Sequence, residues 1–189
     1  RGYPQFMRMA AEVAAQRPDA IFVSVGGDGP GYGRPRADGA SWRTVLSAES
    51  GLGDRMVHIP WLPHQALVNL FQVSAAHVYL SVPFVLSWSL LEAMACACLI
   101  VGSATPPVQE VVTDGVNGLL APFFDENAIA RRVLDALQAP GAHAVLRSAA
   151  RATVVDGYEL EACLDRQMAM IQGLLPEHGH IGADQTALL

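Results

Sequence analysis

HVYLSVPFVLSWSLLEAMACACLIVGS, residues 77–103, decides the fold. Two short apolar runs, HVYL at 77–80 and LIVG at 99–102, flank a segment that reads as a helix from Ser87 onward. Neither run alternates apolar with polar residues, so each predicts a strand covered on both faces, as in a parallel sheet. Ser87 is a suitable N-cap for the helix between them. One carboxylate, Glu92, stands between Leu91 and Ala93 in the middle of this apolar stretch. It lies in the second helical turn, too late for a capping box. Partial burial of a carboxylate is costly unless it is hydrogen-bonded. Glu92 therefore points to the surface, pairs with an Arg, or holds a ligand; adjacent ribose hydroxyls, which can both donate to one carboxylate, suit it well.

The same pattern runs outward from this unit. Tyr3 to Gln16 predicts a helix with Pro4 in its first turn and Phe6, Met7, Ala10, Val13 and Ala14 on one face. Strands are expected at residues 20–25, 55–59 and 119–121, and helices at 41–48, 64–74, 107–113, 126–137, 141–153 and 158–174. Short buried strands alternating with helices predict a doubly wound α/β domain with a parallel sheet. Its expected extent is residues 1–175, with 176–189 (PEHGHIGADQTALL) as a loose tail. A doubly wound unit normally starts with a strand, yet this sequence starts with a helix. A first strand is therefore expected just ahead of Arg1, which is itself not an initiator Met. No signal peptide follows it.

Composition narrows the function. Of 189 residues, 51% are hydrophobic, enough for a large core, and the formal net charge is -6. All twelve cationic residues are Arg. They form no basic cluster, which disfavours nucleic acid as a partner. Apolar runs break well before the ~18 residues that a membrane span needs. Cys96 and Cys98, a C-x-C inside an apolar segment, suit buried inert thiols; with Cys163 they lack the spacing of a metal site and fit a reducing cytoplasm.

Ligands of open parallel sheets bind at the carboxyl ends of the strands. The glycine-rich loop GGDGPGYG, residues 26–33, fits neither the G-x-G-x-x-G fingerprint nor a phosphate-binding P-loop. A nicotinamide-binding domain is therefore a weak reading. The loop from Ser81 to Ser89 is stronger. It leads into a helix start whose free N–H groups at Trp88, Ser89 and Leu90 attract phosphate, although Ser87 is equally an ordinary N-cap.

Several segments resemble one family. LLEAMACACLIVGSATPPVQEVVTDGVNGLLAPFFDENAIARRVLDAL, with the EAMA helix, the DGVNGLL turn and the acidic helix start at Asp125, is similar to the nucleotide-sugar half of GT-B glycosyltransferases of family 4, group 1. RMVHIPWLPHQALVNLFQVSAAHVYLS resembles the strand, helix and strand that precede the site there, and Arg1-Gly2 the basic residue and glycine that open its first helix. The resemblance covers roughly residues 1–175. It implies the Rossmann-like C-terminal lobe of a retaining, metal-independent transferase, with a nucleotide-diphosphate sugar as donor. It also implies a missing N-terminal lobe for the acceptor. The fragment alone is then expected to be inactive. The full-length protein is expected in the cytoplasm, with peripheral membrane contact open. By position, the resemblance implies Glu92 as ribose ligand, the turn of Ser87, Trp88 and Ser89 facing diphosphate and sugar, Arg1 as phosphate cation, and Pro60, Trp61 and Leu62 beside the base.

The sequence also departs from that pattern. Phe84 stands eight residues before Glu92, where the family's E-x7-E motif carries a carboxylate that contacts the transferred sugar, and Ala97 stands where a glycine is usual. These departures leave a second reading, a non-catalytic binding or interaction module on the same scaffold. No D-x-D triplet for a metal–diphosphate bridge occurs, so no metal or other cofactor is expected. Negative charge on a leaving diphosphate would fall to a helix N-terminus and Arg.

Overall fold

The computed structural model describes residues 2–29, 35–82 and 84–174. Its elements alternate as expected: α1 (Tyr3–Gln16), β1 (Phe22–Val25), α2 (Trp42–Ser50), β2 (Met56–Ile59), α3 (His64–Val73), β3 (His77–Tyr79), α4 (Trp88–Ala95), β4 (Ile100–Ser103), α5 (Pro106–Gln109), β5 (Leu119–Ala121), α6 (Glu126–Gln138), α7 (Ala144–Tyr158) and α8 (Leu160–Leu174). The expected tail at 176–189 and Arg1 lie outside the described residues.

All strand pairs are parallel, and they fall into two groups. β1 pairs with β2 in the register Phe22↔Met56 to Val25↔Ile59. β3, β4 and β5 form the second group, with His77↔Ile100 and Val101↔Leu119 aligned. Helices cover both faces. Along β3 to β5, alternate residues enter two separate cores: Val78, Leu80, Val101, Leu119 and Ala121 point to one, Tyr79, Ile100 and Leu120 to the other. This period of two on a sheet buried on both sides is why the strands read as continuous apolar runs. The lower core also takes Phe22 and Met56, so a single layer containing α1 and α6 runs beneath both strand groups. Met7, Met9 and Val13 of α1 and Ile129 and Val133 of α6 are buried there.

Helix limits differ most from expectation at two places. α5 spans one turn, because Asn117 captures the chain that follows. Its Oδ1 accepts from the Thr113 N–H at 2.7 Å and its Nδ2 donates to Val111 O at 2.9 Å. α7 extends to Tyr158, beyond the expected residue 153.

α4 ends in a two-bond C-cap. Cys98 N–H donates to Ala93 O and Ala97 N–H to Met94 O. This geometry holds Ala97 at φ 54°, the left-handed region where a Cβ costs about 1–2 kcal/mol. Ala97→Gly is therefore expected to stabilise the domain by about 1 kcal/mol net of glycine's greater unfolded entropy, read from the urea unfolding midpoint.

Candidate functional site

The carboxyl ends of the strands place the expected residues along one edge. Ser81 follows β3 and is nearly inaccessible, with 2% of its surface exposed. It is fixed by three hydrogen bonds: its N–H donates to Ser103 Oγ (3.0 Å), and its carbonyl accepts from Ser103 Oγ (2.9 Å) and Thr105 Oγ1 (3.1 Å). The other end of this loop is tied by Ser87 N–H, which donates to Tyr79 Oη at 2.9 Å. The loop that feeds α4 is thus pinned at both ends by polar side chains on β3 and on and after β4.

Ser87 caps α4 in extended backbone. Its Oγ lies 3.0 Å from Ser89 Oγ and accepts from Ser89 N–H at 3.4 Å. Leu90 N–H donates to Ser87 O. Trp88, the first helical residue, is 84% exposed. The helix start faces out from the sheet edge with two hydroxyls and the positive end of the backbone dipole together. Phe84 is exposed on the loop just before it.

Glu92 is half-buried and Oε1 lies 3.2 Å from Nε2 of His64, the first residue of α3. The expected partner types for a half-buried carboxylate were an Arg or a ligand; the structure supplies a histidine. His64 follows Pro63, so it also marks where the Pro60, Trp61 and Leu62 loop ends. Pro60 and Trp61 are exposed and Leu62 is half-buried. The two separate stretches singled out in the sequence therefore meet at one contact, His64–Glu92. Arg1 lies outside the described residues. Within them, Arg43 brings a cation to the carboxyl end of β1: it donates to Gly26 O at 2.6 Å and stands 4.0 Å from Asp28. Beside it, Ser47 Oγ and His58 Nε2 are 3.0 Å apart, and burial, with help from the Arg43 charge, lowers the His58 pKa. Spacing alone gave no hint of His64, Tyr79, Ser103, Thr105 or Arg43. Each acts through a partner at least eight positions distant. The serine and threonine at 103 and 105 did carry a signal, since polar residues ending a fully buried strand need partners.

Among the described residues no three His, Cys, Asp or Glu side chains gather as metal ligands, and no helix is long and apolar enough to cross a membrane.

Comparison with known proteins gives this edge its context. Residues 1–153 match the family described as glycosyl transferases group 1. The chain is 32% identical over 139 residues to a 2-deoxystreptamine N-acetyl-D-glucosaminyltransferase of Streptomyces fradiae, covering 72% of this chain and 31% of that protein. Among solved structures, sucrose-phosphate synthase of Thermosynechococcus elongatus superposes with a TM-score of 0.74 at 28% identity, over 89% of this chain and 42% of the other. HepE of Anabaena, solved in complex with UDP and glucose, superposes with a TM-score of 0.75 at 19% identity, over 90% of this chain and 45% of the other. The chain thus spans about a third of the curated relative and less than half of these structures.

Proposed function

The chain belongs to the glycosyl transferases of group 1, a transferase family with the GT-B fold, and on that premise we propose that its domain is the donor-binding half of a retaining, metal-independent glycosyltransferase. Glu92 is the ribose ligand in this reading. The observation that carries it is placement: a half-buried carboxylate lies one turn behind an outward-facing helix start, at the carboxyl edge of a parallel sheet. Its bond to an exposed, exchangeable His64 leaves room for a diol to replace or join that partner. The N–H groups and hydroxyls of Ser87 and Ser89 face the diphosphate, and the dipole of α4 stabilises the charge that develops as the sugar leaves. Trp61 beside Pro60 and Leu62 offers a stacking surface to the base. Arg1 supplies a phosphate cation, and Phe84 sets the sugar pocket without a carboxylate.

UDP-N-acetylglucosamine leads the list of donors, because the curated relative transfers N-acetylglucosamine and HepE was solved with UDP. The acceptor groups belong to a second lobe, so residues 1–189 alone bind donor and do not turn over. The free thiols of Cys96, Cys98 and Cys163 support a cytoplasmic setting.

Titration calorimetry with UDP, GDP and ADP sugars tests the reading. Binding of one nucleotide is expected, and Glu92→Ala is expected to weaken it by about 2 kcal/mol, roughly 30-fold, the size of a hydrogen bond to a charged acceptor. An intact fold that binds none of the three would overturn the proposal, and an unchanged affinity in the variant would remove Glu92 from the site. Phe84 favours the second reading, a non-catalytic module. Sugar transfer by the longer protein, lost on changing Glu92, excludes that one.

A further inference from the structure

The carboxylate of Glu92 has a protein partner of its own. Its Oε1 lies 3.2 Å from His64 Nε2. An ionised carboxylate only accepts, so the imidazole nitrogen carries the hydrogen and donates it. Among the described residues His64 is the one side chain bonded to this carboxylate, which leaves Oε2 as an acceptor. The two side chains differ in exposure, 72% for His64 against 32% for Glu92. The imidazole therefore stands on the solvent side of the pair.

Both residues are mounted on packed helices. His64 opens α3 directly after Pro63, whose ring fixes the backbone on entry to the helix. Further along α3, Phe71 shares a buried cluster with Leu90, Ala93 and Met94 of α4. The packing of two helices thus sets the approach of His64 to Glu92. An exposed pair of this kind adds little to stability. Its effect falls on Glu92 itself. Ordering a free glutamate on binding costs rotamer entropy, and a partner that orders it beforehand removes that cost from the binding step.

We propose that His64 is a positioning residue for the donor's ribose: it holds Oε1 of Glu92 so that the carboxylate meets the 2′ and 3′ hydroxyls together, and it thereby sharpens discrimination against a 2′-deoxy nucleotide. This rests on the reading of Glu92 as ribose ligand and adds the group that orients it. A carboxylate offers about four acceptor sites, enough for His64 and two hydroxyls at once, so the diol joins the imidazole without displacing it. Residues 60–64 then serve both ends of the nucleoside, the loop beside the base and His64 behind the ribose ligand.

The probes are UDP, GDP and ADP, each with its 2′-deoxy form. They are titrated calorimetrically into the chain and into His64→Ala, His64→Gln, Glu92→Ala and the double variant His64→Ala, Glu92→Ala. His64→Ala is expected to weaken the nucleotide that binds by about tenfold, the lower end for a hydrogen bond to a charged group, and to narrow its preference over the 2′-deoxy form. His64→Gln, whose amide also donates, is expected to recover most of the loss. In the Glu92→Ala background the His64 change is expected to add nothing, because the effect runs through the carboxylate. The urea unfolding midpoint of His64→Ala is expected to stay where it is. Unchanged binding in His64→Ala overturns the proposal, and so does an equal loss for both nucleotide forms. Tighter binding overturns it as well, by showing that the diol displaces the imidazole. Glu92→Ala with full affinity, or a folded chain that binds none of the nucleotides, is a different failure: it sinks the ribose reading itself, and the role of His64 with it.

Discussion

Gly2→Ala, at the N-cap of α1, is expected to destabilise the domain by about 3–4 kcal/mol. Two costs add. Gly2 sits at φ +62°, where an L-residue loses about 1–2 kcal/mol. A Cβ there would also land on the Cβ of Leu80, and overpacking of this kind costs about 1–3 kcal/mol more. Gly39→Ala separates the two. Gly39 has a similar φ of +72° with open space around it, so only the backbone cost of about 1–2 kcal/mol is expected. Urea unfolding of both variants measures the difference. Equal losses would show that the contact with Leu80 relaxes freely.

The second large effect is with acid. His77 packs edge-on against Phe71 at 5.1 Å, and its Nε2 is buried with no hydrogen-bond partner among the described residues. Burial pushes its pKa down to about 4. The unfolded imidazole titrates near 6.5. Between these values the unfolded chain binds a proton that the folded chain refuses, so lowering the pH favours unfolding. The contribution is complete above about pH 6.5 and is lost as the pH falls toward 4, a difference of about 3 kcal/mol. His77→Phe, which keeps the aromatic contact, is expected to remove this part of the slope in a series of denaturant titrations from pH 7 to 4. His58, also lowered by burial, contributes in the same direction and remains in the variant. A slope that persists in full would place His77 in contact with water.

The strands were legible because burial on both faces leaves an unbroken apolar run, as in LIVG at 99–102, and because glycine or proline ends nearly every one. α5 was misjudged for a physical reason. PVQEVVT has helical composition, but the Asn117 side chain offers Thr113 N–H and Val111 O better-placed partners than another helical turn would.

The site was legible in part. Glu92 announces itself as a lone carboxylate among apolar neighbours, and Ser87 as a cap. Their surroundings do not show in a linear reading. His64 meets Glu92 only because α3 and α4 pack side by side, 28 positions apart in sequence. Ser103 and Thr105 reach back across more than twenty positions to hold Ser81. Such pairings depend on how layers dock, which residue type and spacing do not encode.

The candidate site draws on both strand groups: Pro60, Trp61 and Leu62 follow β2, and Ser87 and Glu92 follow β3. Beneath both groups, α1 and α6 are clasped by the Arg8–Glu126 ion pair at 2.9 Å, while Arg17 ahead of β1 donates to Leu137 O at 3.0 Å. The separation of the two halves is therefore also the span of the site. Because α1 and α6 pack beneath both groups in one core, this shared layer ties the Trp61 loop and the α4 start into one packed unit.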